Sequence, residues 1–524
     1  MVAACNSGYV NTPETEPTDV RDENVLETIL SDVRNENAPE VRTPDDPKVS
    51  DSPSTSPVNT NPVKNPNLPP DDLPETPVDE FEYYRAKDGI VITGYIGSSL
   101  RIRIPDMIDG TPVTEINDGA FSYVDYYADE ELNNEHNKIT YVYIPNSVTV
   151  IGPYVFAWCE GLTSITIPDS VTVIGDSAFT GCSGLTSITI PEGVTSINSS
   201  VFIWCESLTS VTIPNSVTAI GDEAFDGCVA LTDVTIPSGV KSIGRSAFNN
   251  CSGLKSITIP DGVTSIDQFT FSGCESLSSV TTPDSVTSIG MYAFYGCSEL
   301  ASVRIPDGVT SIGESAFSNC SGLTSITIPD SVTIIENATF SGCEGLTSLA
   351  IPDHITSIGN HAFRSCEGLT NITIPDGVTD IGEWSFAVCK GLTSISIPGS
   401  VKSIGEWAFA YCEGLTSVII PESVTIICDS AFRYCDRLES ITIPEGVTSI
   451  GESAFEDCRE LNSVTIPDSV TSIGENAFYR WVLSDSSPEL TITYKGKTYI
   501  GVVSMDDRFD FDMPQAFYDA INNQ

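Results

Sequence analysis

LTSITIPDSVTVIGDSAFTGCSG, residues 162–184, decides how the rest of the chain is read. Leu162, Ile165 and Ile167 point inward from an extended segment, while Ser164 and Thr166 alternate outward. Pro168-Asp169-Ser170 supplies a turn, because proline fixes φ and the short polar side chains can bond local backbone. Val171 and Ile174 form a second inward pair and predict a second short strand. Gly175 follows, replaced in later units by Asn198, Asp267, Glu336 and Cys428, a set whose Gly, Asn and Asp imply a positive φ. Ala178, Phe179 and Cys182 then close the unit through a predicted short helical turn. The large inward side chains, at about 1.5–3 kcal/mol each, make a core that needs no cofactor.

Outward from this unit the pattern repeats every 23 residues without a slip. Fifteen prolines run from Pro145 to Pro467, fifteen phenylalanines from Phe156 to Phe478 and fourteen cysteines from Cys159 to Cys458. Periods of this size mean stacked supersecondary units that bury their apolar faces on one another. The expected fold is therefore a β-rich solenoid of leucine-rich repeats over residues 105–487. It has about sixteen coils, each with one or two short parallel strands. Residues 81–104 alternate like strands around Asp88-Gly89 and form an expected N-terminal cap. A degenerate first coil begins at Pro105, and the 40-residue step to Pro145 places a loop insertion at 122–138. Residues 488–524 are expected to close the other end with a hairpin at Lys495-Gly496 and a short helix. Residues 1–80 are rich in proline, carboxylates outnumber cations, and Phe and Trp are absent, so a disordered acidic tether is expected there.

The repeat LTSITIPxxVTxIGxxAFxxC resembles the BspA-like, or treponemal-type, branch of leucine-rich repeats. The opening IRIPDMIDGTPVTEINDGAF and the closing ITYKGKTY resemble the ends of such arrays. The resemblance implies a bacterial cell-surface or secreted protein, of a kind that includes adhesins for host matrix proteins, and it implies no catalytic residues.

A net charge of −48 repels phosphate backbones, which excludes nucleic acid as a partner. No apolar run approaches the roughly 20 residues of a membrane span. At the N-terminus, Val2-Ala3-Ala4-Cys5 resembles a bacterial lipobox, so Cys5 is the expected lipidation site and a lipid anchor the expected membrane link. The cysteine ladder has parallel Cβ vectors that suit neither disulfide nor zinc geometry, so buried reduced thiols are expected. Cys428, outside the ladder, is the thiol expected to be exposed. The residue after proline is acidic in eleven of fifteen coils, which reads as a solvated stripe and not a calcium site. The outward Ser and Thr columns read as strand formers on a wet sheet.

No P-loop, dinucleotide fingerprint, HExxH or GxSxG run appears, and there are three histidines, so no enzyme and no cofactor are expected. Recognition is expected where the repeat departs from itself. The column of Ser177 holds His361, Trp384 and Trp407 on consecutive coils, and Phe269 and Tyr292 elsewhere; the column of Gly181 holds Tyr411 and Tyr434. Two adjacent indoles would make a platform able to stack on a sugar face or anchor a partner loop. The secondary candidates are Tyr123, Tyr126 and Tyr127 in the loop insertion. A binding surface for a protein or glycan at a cell surface is the expected function, with a structural spacer and carbohydrate capture as alternatives.

Overall fold

The computed structural model describes residues 73–122, 138–481, 489–503, 510–512 and 517. Cys5, the leader up to residue 72, the tyrosine loop and most of the expected final helix fall outside these residues. Within them the chain winds as a parallel-strand solenoid of about 16 turns.

Two ladders of short strands run along its length. One is built from the column of Ser164–Thr166, the other from that of Val173–Ile174. Each strand pairs in parallel with its equivalent one period on, as in Ser187↔Ser210 and Ser196↔Ala219. At the degenerate first coil Arg101 pairs with Tyr141, a step of 40 residues. The register of the array therefore continues across the inserted residues. The proline turn forms as expected, with the Val171 N–H donating to the Pro168 carbonyl at 3.0 Å.

The helical turn does not form. Among the described residues the segment after Gly175 is a run of turns whose N–H groups alternate in direction. Those of Ser177, Phe179 and Gly181 donate to the Ser199, Val201 and Ile203 carbonyls of the next coil. Those of Ala178, Thr180 and Cys182 donate three residues back. A helix would turn every N–H onto its own axis and leave the third side of the coil with no bonds to its neighbours. The turn segment instead supplies a third inter-coil ladder.

A column of phenylalanine rings fills the interior. Phe156 stacks on Phe179 with centroids 5.3 Å apart, and the column continues to Phe478. Tyr95 stacks on Phe121 at one end, where Phe81 meets Phe121 edge-on, and Phe517 meets Phe478 edge-on at the other. Beside the rings each ladder cysteine donates its S–H to a phenylalanine carbonyl of the preceding coil, as from Cys182 to Phe156 at 3.1 Å. All fourteen are buried and outside any disulfide. Cys428 is buried too, against the expectation of exposure: its short side chain stays within the coil, whereas the longer Asp267 and Glu336 of the same column reach solvent.

At the N-terminal end Phe81–Arg85 pairs antiparallel with Ile90–Tyr95, which pairs in parallel with Thr111–Ile116. Residues 73–80, placed in the tether on composition, instead pack on this cap. Leu73 and Thr76 are buried, and the Thr76 N–H donates to the Arg103 carbonyl. At the other end Thr491–Tyr494 and Lys497–Ile500 form a hairpin around Lys495 and Gly496, both at positive φ. Arg480 is buried there, its guanidinium donating to the Arg459 and Leu461 carbonyls of the final coils.

Candidate functional site

The turn segment decides which side chains stand out. Gly175 does not have a positive φ, and neither do Gly221, Gly244 and Gly290 of the same column. A Cβ on Gly175 would lie 2.4 Å from the Pro153 nitrogen, so close approach of backbones explains the glycine. The left-handed positions are two others. From Tyr154 to Asn476 every residue in the column of Ser177 has positive φ, and so does every residue from Trp158 to Asp457 in the column of Gly181. For L-residues this conformation costs about 1–2 kcal/mol each. It is stabilised here because it aims each N–H at the next coil, as from Trp384 to the Glu406 carbonyl at 2.9 Å.

All five candidate residues occupy these two columns. His361 has φ 57°, Trp384 and Trp407 54°, and Tyr411 and Tyr434 58°. The structure brings them together as one half-buried stack. His361 lies over Trp384 at 6.1 Å, and Trp384 over Trp407 at 4.7 Å with planes 5° apart. Trp407 continues to Tyr411 at 6.4 Å, and Tyr411 to Tyr434 at 4.7 Å. The rings stack through their faces along the solenoid axis, so their edges, not a flat double-indole platform, meet solvent. The side-by-side arrangement expected from the sequence is thus replaced by a ridge. Parallel coils superpose equivalent side chains, and flat rings at about 5 Å spacing stack instead of tiling.

Two guanidiniums, not singled out from sequence, close this ridge. Arg364 sits 5.3 Å over the Trp384 ring. Arg433 lies 5.2 Å over Trp407 and 5.0 Å over Tyr434, and pairs with Glu456 at 3.1 Å in a largely buried contact. Small residues, Ala387 and Ala410, hold the same column on the two coils between them. Along one flank, each next to a left-handed residue in the chain, run Glu383, Glu406, Asp429, Glu452 and Glu475 on five consecutive coils. Burial, then the neighbouring Glu383 and Asp429, raise the Glu406 carboxyl above its ordinary value.

A second group was missed. Trp158 and Trp204 meet at 5.3 Å with planes 41° apart, and Trp204 is 41% exposed. They stand in the column of Gly181, two coils apart, and reading that whole column for bulky residues would have found them. The glycine between them is required, since a Cβ on Gly181 would lie 2.4 Å from the Trp158 ring. Phe269, Tyr292 and Tyr295 form a third group, with Phe269 stacked on Tyr292 at 4.8 Å. Tyr123, Tyr126 and Tyr127 lie outside the described residues. Among the described residues no three His, Cys, Asp or Glu side chains are placed to hold a metal ion, and no helix is long and apolar enough to cross a membrane.

A family model described as a BspA type leucine rich repeat region of six copies matches residues 129–255, 241–370 and 356–484. Among solved structures, a leucine-rich repeat protein from Bacteroides ovatus is 28% identical, with a TM-score of 0.56 over 77% of this chain and 91% of that one. A leucine rich cell surface protein from Faecalibacterium prausnitzii is 30% identical over 78% of this chain and 92% of its own, with a TM-score of 0.40. A leucine rich repeat protein of T. pallidum is 28% identical over 48% and 91%, with a TM-score of 0.31. No curated protein matches the chain.

Proposed function

Because the chain belongs to the BspA-type leucine-rich-repeat family, we propose that it is a non-enzymatic recognition protein working outside the cell, secreted or held at the cell surface through Cys5. The ridge from His361 to Tyr434 is its contact surface, and a protein at a cell surface or in the surrounding matrix is its partner. One observation carries this reading. The column of Ser177 is filled adequately by Ser200, Ser246, Ser315, Ser430 and Ser453, so the fold does not require Trp384 and Trp407. Half-exposed aromatic residues that folding does not demand are the usual material of binding hot spots.

Carbohydrate capture is a second reading, and it is favoured at Trp204 over Trp384. Trp204 is the more exposed of the two, and among the described residues it has no parallel ring stacked on it.

The test is binding of the full chain to immobilised host matrix proteins and to a glycan array, beside Trp384→Ser/Trp407→Ser and Trp204→Ser variants. Serine already occupies the first column at positive φ, so the double variant folds. The reading expects at least one ligand whose binding drops about tenfold or more in the double variant, as hot-spot residues do. Binding that is untouched would remove the ridge. Absence of any ligand would favour a structural spacer. Labelling of Cys5 with fatty acid and protease sensitivity on intact cells test the location.

A further inference from the structure

The ridge and its flank suggest the chemistry of what docks there. The rings already hold two guanidiniums of the chain itself, Arg364 over Trp384 and Arg433 between Trp407 and Tyr434. Where Arg433 is held, a carboxylate on the adjacent coil, Glu456, completes the contact at 3.1 Å. Between those two arginines, among the described residues, the carboxylates of the flank recur without a paired cation. Trp384 and Trp407 present stacked edges, and Glu383 and Glu406 precede them in the chain. Ala387 and Ala410 stand where the arginines stand on the flanking coils, so the guanidiniums over Trp384 and Trp407 reach in from the coils on either side and the two middle coils add no long side chain in that column. Among the described residues no Lys or Arg pairs with Glu383, Glu406 or Asp429. These carboxylates face one another on successive coils, and burial adds to the cost of their charge at Glu406.

We propose that the ridge docks an extended, arginine- or lysine-bearing segment of a partner protein. This rests on the recognition reading above and deepens it. The aliphatic stems lie along the stacked edges of Trp384 and Trp407, where apolar contact is available and the polar heads remain free to reach outward. The heads meet Glu383, Glu406 and Asp429, which neutralises like charges that otherwise repel. The partner is cationic because the flank carries carboxylates on five consecutive coils, while Lys390 pairs with Glu367 at 2.7 Å and Arg459 with Asp436 at 3.1 Å. The flank is acidic on all five coils, so an anionic chain meets repulsion along it.

The probe is a fluorescein-labelled hexa-arginine peptide, titrated by anisotropy at about 0.15 M salt, where unspecific attraction to an acidic surface is screened beyond about 8 Å. Three variants of the full chain are compared with the parent: Glu383→Gln/Glu406→Gln, Trp384→Ser/Trp407→Ser, and Asp307→Asn/Asp330→Asn. The last removes the same charge from the exposed post-proline column. Matched melting curves establish that each variant is folded. Affinity is expected to fall about tenfold in the first two and to stay within about twofold in the third, the contrast a specific pocket shows against a rim. Equal losses in the first and third variants, or no loss with the tryptophans replaced, would overturn the proposal. A neutral xylohexaose probe separates the two levels of inference. If it binds, is lost with the tryptophans and ignores Glu383→Gln/Glu406→Gln, the ridge is a recognition site and the cationic partner is wrong.

Discussion

Gly181 and Gly296 share a column and a left-handed backbone, yet substitution at each should behave differently. At Gly181 φ is +70° and an added Cβ meets the Trp158 ring at 2.4 Å. At Gly296 φ is +69° and the nearest atom is 3.9 Å away. Gly296→Ala should therefore cost only the handedness term, about 1 kcal/mol, while Gly181→Ala should add about 1–3 kcal/mol of overpacking. Unfolding midpoints measure the difference, and Trp158→Ser should reduce the cost of Gly181→Ala to that of Gly296→Ala. If the difference persists without the indole, the side chain of Trp158 is not its cause. The same columns show where residue-level reading succeeds and fails. Glycine, asparagine and aspartate at the position of Gly175 resemble a handedness signal, yet φ is not positive there; the glycine answers close backbone approach, and Asn198 donates its side-chain amide to the Ile174 carbonyl. The left-handed column of Ser177 holds mostly Ser, Glu, Phe, Tyr and Trp, types that signal nothing of the kind, because the compensating hydrogen bonds come from the next coil, whereas the Gly, Asn and Asp of the column of Gly181 do carry the signal. That His361, Trp384 and Trp407 form one column was legible from period alone. That their faces turn to one another, and that Arg364 and Arg433 join them, was not, since side-chain direction depends on those φ values.

At the scale of the coil, the repeat is the unit of deletion. Removing residues 300–322, Leu300 to Gly322, would join Glu299 to Leu323 and bring the coils on either side into the contacts that each now makes with the lost one. Stability in such arrays is a sum over units and nearest neighbours. The shortened chain should therefore fold with a melting point only a few degrees lower, whereas removing twelve residues should unfold a block around the join. Circular dichroism and limited proteolysis distinguish these outcomes; equal damage from both deletions would contradict additive coils. A charged residue within the turn segment gives a second prediction at this scale. Asp226 accepts from Asn249 at 2.9 Å, but burial outweighs this and raises its carboxyl from 3.8 to about 6. A raised folded value means that its contribution is present below the unfolded value and is lost as pH rises through about 6. Asp226→Asn should therefore stabilise the protein at pH 7, by on the order of 1–3 kcal/mol, and have little effect at pH 3.5. A melting-point gain of equal size at both pH values would show that the charge is not responsible. The two strands and the proline turn were legible because hydrophobic alternation and proline act within the coil. The third side reads as a helix from sequence because its ladder is made between coils, where a single period of sequence carries no information.

Over the whole molecule, the thiol column makes one further behaviour collective. Thirteen of the fourteen ladder cysteines, Cys159 to Cys435, have their thiols raised by burial, four of them to about 12 from an ordinary 9.0. Below pH 9 folded and unfolded chains both hold these protons, so the favourable contribution is complete. Between 9 and about 12 the unfolded chain releases them and the folded one does not, so stability falls with rising pH. Each such thiol contributes about 1.4 kcal/mol per pH unit to that slope, and a single column presents them all to the same transition. Alkaline unfolding should therefore be steep and should begin not far above pH 9. Thiolate absorbance should appear together with the loss of far-ultraviolet dichroism, because buried thiols donating to the phenylalanine carbonyls cannot ionise in place. For the same reason a thiol reagent at pH 8 should leave the ladder unmodified until denaturant is added. Replacing Cys274, Cys297, Cys320 and Cys343 together by alanine should make the alkaline slope shallower, even as it lowers stability at neutral pH by opening small cavities. Thiolate absorbance rising near pH 9 while the dichroism stays native would show that the column is open to solvent. That result would also remove the reason the array can hold fourteen cysteines in one file without joining any two of them.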